Sequence, residues 1–146
     1  MGDNVSNPFV SGTTDSATTS DSLDTFTEYA WDFENDCFIF ENGAHKIVTE
    51  NEAIKVWIYK VLKTERWRYR AYDNAYGIEL EQYIGASTNN ADSAAQVERY
   101  IQEALLINPY IKSIDNVTFT DESDVLTFTI ELTTIYGSLT TSNMAA

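Results

Sequence analysis

The chain has 146 residues and a mass of 16.5 kDa, which is the size of one ordinary domain with an apolar core of its own. Hydrophobic residues make up 43% of the chain and aromatic residues 13%, a composition too apolar for an intrinsically disordered protein. Nine Lys and Arg against 23 Asp and Glu give a formal charge of −14, which disfavours binding to nucleic acid and to anionic membranes, because the field of the protein repels phosphate groups.

The chain contains one cysteine, Cys37, and one histidine, His45. An internal disulfide is therefore impossible, and a structural zinc site of the His/Cys type, which needs three or four such ligands, is excluded. The sequence contains no glycine-rich phosphate loop, so we expect neither a metal nor a cofactor. No apolar run approaches the roughly 18–20 residues that span a bilayer, so we expect no membrane segment.

Residues 1–25 differ in composition from the rest of the chain. Eighteen of them are Gly, Ser, Thr, Asn or Asp, and none is Lys or Arg. Few of these side chains can be buried, so we expect a flexible acidic arm rich in Ser and Thr. An arm that orders against a neighbouring subunit is the alternative. The folded domain is predicted over residues 26–137 and a frayed tail over residues 138–146.

The first folded elements are predicted to be strands. Aromatic residues at every second position of residues 27–33, namely Tyr29, Trp31 and Phe33, predict a half-buried strand with these side chains on one side. A short apolar strand over residues 37–40 and a partner strand over residues 45–48 follow. Between them, Asn42-Gly43 supplies the left-handed conformations of a tight hairpin.

Helical periodicity marks two longer segments, with a short helix at residues 78–84 between them that Gly85 ends. Thr49 and Glu52 have the spacing of a capping box, which predicts a helix that begins at Thr49 and ends near residue 63 or 64. The second long helix is predicted to begin at residue 90 or 92 and to end at residue 107, before Pro109. The predicted apolar faces are Ile54, Trp57, Ile58, Val61 and Leu62 in the first helix, and Ala94, Val97, Ile101, Ala104 and Leu105 in the second.

The C-terminal region has the alternation of a β-hairpin, with strands on either side of a turn at residues 121–124. The whole pattern predicts an α+β fold: an antiparallel sheet with two long helices and one short helix packed on one face, and a flexible N-terminal arm. The predicted inward residues of the hairpin are Val117 and Phe119 in its first strand, and Leu126, Phe128, Ile130 and Leu132 in its second.

The basic residues are concentrated in one zone. Seven of the nine Lys and Arg lie between positions 46 and 70, whereas the first 45 residues contain nine acidic residues and no Lys or Arg. On a strand, Arg66, Arg68 and Arg70 would lie on one face, and Trp67 and Tyr69 on the other.

Three interpretations of this zone remain open. Arginine and aromatic residues are enriched at protein-docking sites, so the zone can be a protein interface. It can also be a solvated strand face with local ion pairs. A nucleic-acid groove is disfavoured, because stacking and phosphate contacts would need both sets of side chains on one face.

Carboxylate pairs suggest a glycosidase only weakly. Glu65, Glu79 and Glu81 could supply the acid and the base for glycoside cleavage. With 23 acidic residues in 146, however, some pair falls near any separation by chance. Since no partner for His45 in a catalytic triad is indicated either, we expect no enzymatic activity.

Two motifs carry a resemblance to a known family. Leu62-Lys63-Thr64-Glu65-Arg66 follows a helix, and Tyr76-Gly77-Ile78-Glu79-Leu80 follows ten residues later. Together they resemble the small baseplate wedge proteins of contractile phage tails, some of which carry a lysozyme-related label. The resemblance covers about residues 27–137. Many relatives have a glycine before the Glu-Arg pair and a proline after it; this chain has Thr64 and no such proline, as in the subfamily of Gram-positive prophages and tail-like bacteriocins.

The resemblance implies a structural role in a baseplate wedge. Such a protein joins the larger wedge subunits, lies beside tail tube or hub proteins, and anchors and nucleates the first ring of the tail sheath protein by β-augmentation. It is implied to be present in multiple copies in a symmetric ring, to be part of a virion or phage-tail-like particle, and to assemble in the host cytoplasm. A cell-wall-degrading, lysozyme-like glycosidase of a phage tail is the alternative, and an adaptor domain of a bacterial host is a third possibility.

The resemblance also implies site residues. Glu65 and Arg66 contact a partner or pin the local turn that presents it, and Tyr76 and Gly77 belong to the same combination of motifs; Arg68 and Arg70 extend this partner site on the basis of the residue pattern alone. The candidate strand for sheath augmentation is the long strand from residue 125 to residue 135. Its candidate residues are Val125, Thr127, Thr129, Glu131 and Thr133, of which the last four are predicted to face outward.

Overall fold

The computed structural model describes residues 22–145 except 69, 72–74, 84–90 and 123–124. Residues 1–21 of the predicted arm lie outside this set, as do Tyr69, the turn at residues 73–74, the helix stop at Gly85 and part of the turn at 121–124. The elements are β1 Thr27–Tyr29, β2 Trp31–Asp32, β3 Cys37–Phe38, β4 Phe40–Glu41, β5 Ala44–His45, β6 Ile47–Thr49, α1 Glu50–Lys63, a 3-10 turn Glu81–Tyr83, α2 Ala91–Leu105, β7 Ile111–Glu122, β8 Val125–Thr134 and β9 Gly137–Ala145. The predicted α+β class is confirmed.

The six short strands form three antiparallel pairs that meet at one point. β1 pairs with β6, β2 with β3, and β4 with β5. Three backbone hydrogen bonds close a triangle between the pairs: the N–H of Ile39 donates to the carbonyl of Ala30 (3.0 Å), that of Ala30 to Lys46 (2.7 Å) and that of Lys46 to Ile39 (2.9 Å). The three hairpin arms therefore radiate from a closed junction and do not form one continuous sheet.

The predicted hairpin is confirmed only beside its turn at Asn42-Gly43, where β4 pairs with β5, whereas β3 pairs with β2 and β6 pairs with β1. The predicted strand over residues 27–33 is interrupted. Asn42 and Gly43 both have left-handed backbones, with φ angles of 53° and 80°. Ala30 belongs to the triangular junction and is buried, whereas Tyr29 beside it is 48% exposed. The common face predicted for Tyr29, Trp31 and Phe33 is therefore wrong at Tyr29, because the junction interrupts the strand at Ala30 and the alternation of faces does not continue across it.

Helix α1 occupies the predicted range, but its first turn differs from the prediction. Thr49 is the N-cap residue, yet its side chain makes no capping hydrogen bond. Glu50 has a φ angle of 57°, and its N–H donates to the carbonyl of Phe26 at 2.9 Å. The capping box is wrong because the strand pairing of β1 with β6 continues into the first residue of the helix.

The core lies between the two helices and the C-terminal sheet. The predicted inward residues of β8 are confirmed, since all four are at most 1% exposed. Burying side chains of this size stabilises the fold by about 1.5–3 kcal/mol each. The side chains that share this core include Ile54, Ile58, Tyr59 and Leu62 of α1, Ile101 and Leu105 of α2, Ile111 of β7, Leu126, Phe128, Ile130 and Leu132 of β8, and Ile78 and Leu80 between the helices.

The predicted tail at residues 138–146 is a strand over nearly its whole length. β9 pairs antiparallel with β8 from Gly137 to Ala145, and Thr141 within it is fully buried. The prediction of a frayed tail is wrong because main-chain hydrogen bonds to β8 stabilise the strand, and its polar side chains do not indicate that pairing. The short helix predicted at 78–84 is also wrong over its described residues 78–83, of which only Glu81–Tyr83 forms a 3-10 turn.

The position of β8 corrects the predicted augmentation strand. The sheet order is β7-β8-β9, so β8 is paired along both of its sides. The strand that carries Val125, Thr127, Thr129, Glu131 and Thr133 therefore has no free edge for a further strand. In the described residues, the edges of this sheet are β7 and β9.

Candidate functional site

Directly after α1, the Glu-Arg motif pairs with the chain segment around Ile78. Glu65 and Ile78 form a parallel β-bridge. The N–H of Ile78 donates to the carbonyl of Thr64 at 2.9 Å, and the N–H of Arg66 donates to the carbonyl of Ile78 at 3.1 Å. Main-chain bonds thus hold the two motifs together, and we call residues 64–67 with residues 77–79 the Glu-Arg turn.

Gly77 permits this close approach. Its φ angle is 97°, a backbone conformation that other residues rarely adopt. A Cβ atom at this position would lie 2.6 Å from the carbonyl oxygen of Thr64 and 3.2 Å from the backbone nitrogen of Arg66. Glycine is therefore needed here both for the backbone conformation and for space.

Arg66 ties the turn together through its side chain. The guanidinium Nε and Nη2 atoms donate to the carbonyl of Gly77 at 3.3 and 3.2 Å, and Nη1 lies 3.9 Å from Oε1 of Glu79. The Arg66 side chain is only 15% exposed. Of the two roles implied for this residue, the geometry favours pinning the turn over direct contact with a partner.

Trp67 is the residue that the Glu-Arg turn displays. It is 65% exposed and has a left-handed φ angle of 71°. Its indole N–H donates to Oε1 of Glu79 at 3.2 Å, the same oxygen that Arg66 faces. An open cleft of about 480 Å³ is lined by Glu65, Arg66, Trp67, Glu79 and Gln82.

The remaining predicted site residues do not share one face, as they would if residues 66–70 formed a strand. After Glu65 the chain turns, so the common face predicted for the three arginines is wrong: Arg66 is largely buried, while Arg68 and Arg70 are exposed. The amide of Arg68 donates to the carbonyl of Glu65 at 3.4 Å. Tyr76 is half-buried, with its ring centroid 6.4 Å from that of Trp57.

A second exposed surface, which the sequence did not predict, lies on the hairpins. The ring of His45 is surrounded by Tyr29, Phe38 and Phe40, at centroid distances of 4.9, 5.0 and 4.5 Å. Phe40 is 62% exposed and Ile47 61%. The hairpin pattern indicated strands for these residues, but not that their aromatic side faces away from the core.

A polar cluster joins the hairpins to α1. The Tyr59 hydroxyl donates to Oδ1 of Asp36 at 2.7 Å, and the Lys63 ammonium lies 3.6 Å from Oδ2. The hydrogen bond from Tyr59, with the charge of Lys63 as a smaller contribution, lowers the pKa of the Asp36 carboxyl from its ordinary value. Lys60 of α1 and Glu28 of β1 form a further ion pair at 2.8 Å.

Within the described ranges, no cluster of three or more His, Cys, Asp or Glu side chains could hold a metal ion. Among the same residues, no helix has the length and apolarity to cross a membrane. Glu79, one of the carboxylates considered for glycoside cleavage, is engaged by Trp67 and Arg66.

The family model of the contractile injection system sheath initiator matches residues 27–137, so the chain belongs to this family. It is also 29% identical over 103 residues to the phage-like element PBSX protein XkdS of Bacillus subtilis strain 168, a match that covers 68% of this chain and 73% of that protein. The chain is thus a structural, phage-tail-associated protein of sheath initiation, as the resemblance implied. Neither description names a hydrolase. The family match ends at residue 137, where β9 begins.

Proposed function

We propose that this chain is a baseplate wedge component with two docking surfaces. The Glu-Arg turn joins the larger wedge subunits, and one edge of the C-terminal sheet receives a strand of the first sheath ring. The membership of the sheath initiator family supports the role, and the main-chain bonds that pin the Glu-Arg turn are the observation that carries the first surface. Several copies form a symmetric ring beside the tail tube or hub, and the ring assembles in the host cytoplasm.

The two edges of the C-terminal sheet differ in how well they are protected. β7 carries Lys112 and Asp115, and its pairing with β8 has two register shifts. Charged residues and bulges are common means of protecting an edge from a further strand. β9 has no charged residue and no proline, and its pairing has one register shift. This contrast supports β9 as the edge that a sheath strand extends.

Two double variants test this choice of edge. Thr140→Lys with Ser142→Lys adds two charges to exposed positions of β9, and Thr118→Lys with Thr120→Lys adds the same charges to exposed positions of β7. We expect the β9 variant to enter baseplates that carry no sheath, because charged side chains at an edge oppose strand addition. The β7 variant should give normally sheathed tails.

The measurement is the ratio of sheath protein to tube protein in purified tails, together with electron microscopy of the particles. Equal sheath content in the two variants, or sheath loss in the β7 variant alone, would contradict the assignment of β9.

The wedge-binding surface is proposed to comprise Glu65, Arg66, Tyr76 and Gly77, extended by Arg68 and Arg70. Arg68 and Arg70 are exposed, so they can contact a partner directly, whereas Arg66 acts by holding the turn. We therefore expect that Arg68→Ala with Arg70→Ala leaves the domain folded but stops its co-purification with the larger wedge subunits.

Arg99→Ala is the matched control for this double variant. Arg99 is also exposed, but it lies on α2 and pairs with Glu103 at 3.0 Å. Co-purification of the double variant at the level of the control would refute a direct role for Arg68 and Arg70.

A further inference from the structure

We infer that Trp67 is the anchor of the wedge-binding surface and that its indole inserts into an apolar pocket of the partner protein, bordered by carboxylates. This inference deepens the proposed function and rests on it. Trp67 is the residue that the Glu-Arg turn presents, and the partner surface that receives it is apolar with an acidic border.

The exposure of Trp67 is the first observation that supports this role. At 65% it is the most exposed large hydrophobic side chain in the described part of the chain. Tryptophan is enriched among the few residues that carry most of the binding energy at protein interfaces, because it buries a large rigid surface. Left in water, the same side chain contributes little to the stability of the domain.

The backbone of Trp67 is the second observation. Its φ angle of 71° is left-handed, a conformation that is a genuine outlier for a bulky residue. The other described non-glycine residues with positive φ angles are Asp36, Asn42 and Glu50, which are smaller or unbranched polar residues. Glycine would adopt this conformation without strain, so the indole is kept at this position at a cost in backbone strain.

The indole is also oriented by a hydrogen bond within the Glu-Arg turn before any partner binds. Its N–H is bonded to Glu79 at 3.2 Å, and Glu79 in turn faces the guanidinium of Arg66 at 3.9 Å. Fixing a side chain in its bound orientation lowers the entropy cost of association. Trp67 is exposed and is one of the residues that line the open cleft, so both the indole and the cleft are available to a partner.

The charges beside Trp67 indicate the nature of the partner. Lys46, Lys60 and Lys63 each lie within 4.0 Å of a carboxylate, but within the described residues no salt bridge reaches Arg68 or Arg70. Arg68 and Arg70 follow Trp67 within three positions of the chain and are both exposed, and an exposed indole followed by two exposed guanidinium groups complements an apolar pocket with an acidic rim. The charge of −14 on the whole chain disfavours nucleic acid as the alternative occupant.

Trp67→Gly separates a docking role from a structural one. If the indole serves binding alone, this variant of the full chain relieves backbone strain, and its melting temperature stays within about 2 °C of wild type or rises. The same variant in the producing strain should be recovered in purified tails at about a tenth of the wild-type level or less, measured by immunoblot against the tube protein. Trp67→Phe should restore part of this recovery.

Leu106→Ala serves as the matched control, since it shortens another exposed apolar side chain away from the Glu-Arg turn and should leave recovery unchanged. A fall of more than about 5 °C in the melting temperature of Trp67→Gly would make Trp67 a structural residue and overturn the inference. Recovery of Trp67→Gly at the wild-type level would overturn it as well, while leaving the proposed function intact. Absence of the wild-type chain from purified tails would instead refute the proposed function.

Discussion

The C-terminal sheet and the Glu-Arg turn are stabilised in different ways. The inner face of β8 consists of apolar side chains that are at most 1% exposed, so the sheet is held by apolar burial. The turn is held by main-chain hydrogen bonds, by the space at Gly77 and by the side chain of Arg66, while Trp67 faces solvent. Burial spreads stability over many contacts, whereas the geometry of the turn depends on a few. Substitutions in the sheet and in the turn should therefore differ in the size and kind of their effects.

The largest loss in the free energy of unfolding is expected for a substitution in the sheet, at Phe128. Truncation of this fully buried ring by Phe128→Ala leaves a cavity and should lower the free energy of unfolding by about 3–5 kcal/mol, measured by chemical denaturation. Thr129→Ala, next to it on the opposite face, should cost less than about 1 kcal/mol. Similar losses for the two variants would show that the sheet is not held chiefly by its buried face.

Gly77→Ala should give the largest loss within the turn. The φ angle of 97° alone costs about 1–3 kcal/mol for alanine, and the 2.6 Å approach to the carbonyl of Thr64 adds to this cost. Gly43→Ala is the matched control, because Gly43 also has a positive φ angle but no atom within 4 Å of the added Cβ. Equal losses of unfolding free energy in the two variants would mean that close packing at Gly77 contributes nothing.

A smaller effect is expected for Arg66→Ala. It removes two hydrogen bonds to the carbonyl of Gly77 from a mostly buried side chain and should lower the free energy of unfolding by about 1–2 kcal/mol. Amide hydrogen exchange at Ile78 should accelerate in this variant, because the turn opens more often. Arg68→Ala, at an exposed position, should change the free energy of unfolding by no more than about 0.5 kcal/mol and should leave amide exchange at Ile78 unchanged. If Arg68→Ala had the same effect as Arg66→Ala, the pinning role of Arg66 would be contradicted.

The smallest effect concerns pH and the cluster that joins the hairpins to α1. Because the folded-state pKa of Asp36 is lowered, its contribution to stability is present above the unfolded pKa of about 3.9 and is lost as pH falls through the folded value. Tyr59→Phe removes the main cause of the shift, so the pKa of Asp36, measured by NMR titration, should move back towards its ordinary value. An unchanged titration in this variant would assign the shift to another group.

Several elements followed directly from local patterns in the sequence. The alternation at residues 126–132 identified the buried face of β8, the helical periodicity identified α1 and α2, and Asn42-Gly43 identified the hairpin turn. Such patterns are reliable because they report which side of an element is apolar. The Glu-Arg and Tyr-Gly motifs were likewise found from the sequence, but as a resemblance and without a geometric reason.

Other features were decided by the tertiary structure alone. The hydrogen-bond triangle at Ala30, the crossing of Glu65 with Ile78 and the outward position of Trp67 all depend on which distant backbone groups meet. β9 is the clearest case, because its polar residues give no sign of the strand that they form beside β8. Local periodicity records which side of an element is buried, whereas the pairing at β9 and at the Glu-Arg turn joins backbone groups whose side chains do not specify the partner. For this reason the core could be predicted from the sequence, but the site was decided by the folded chain.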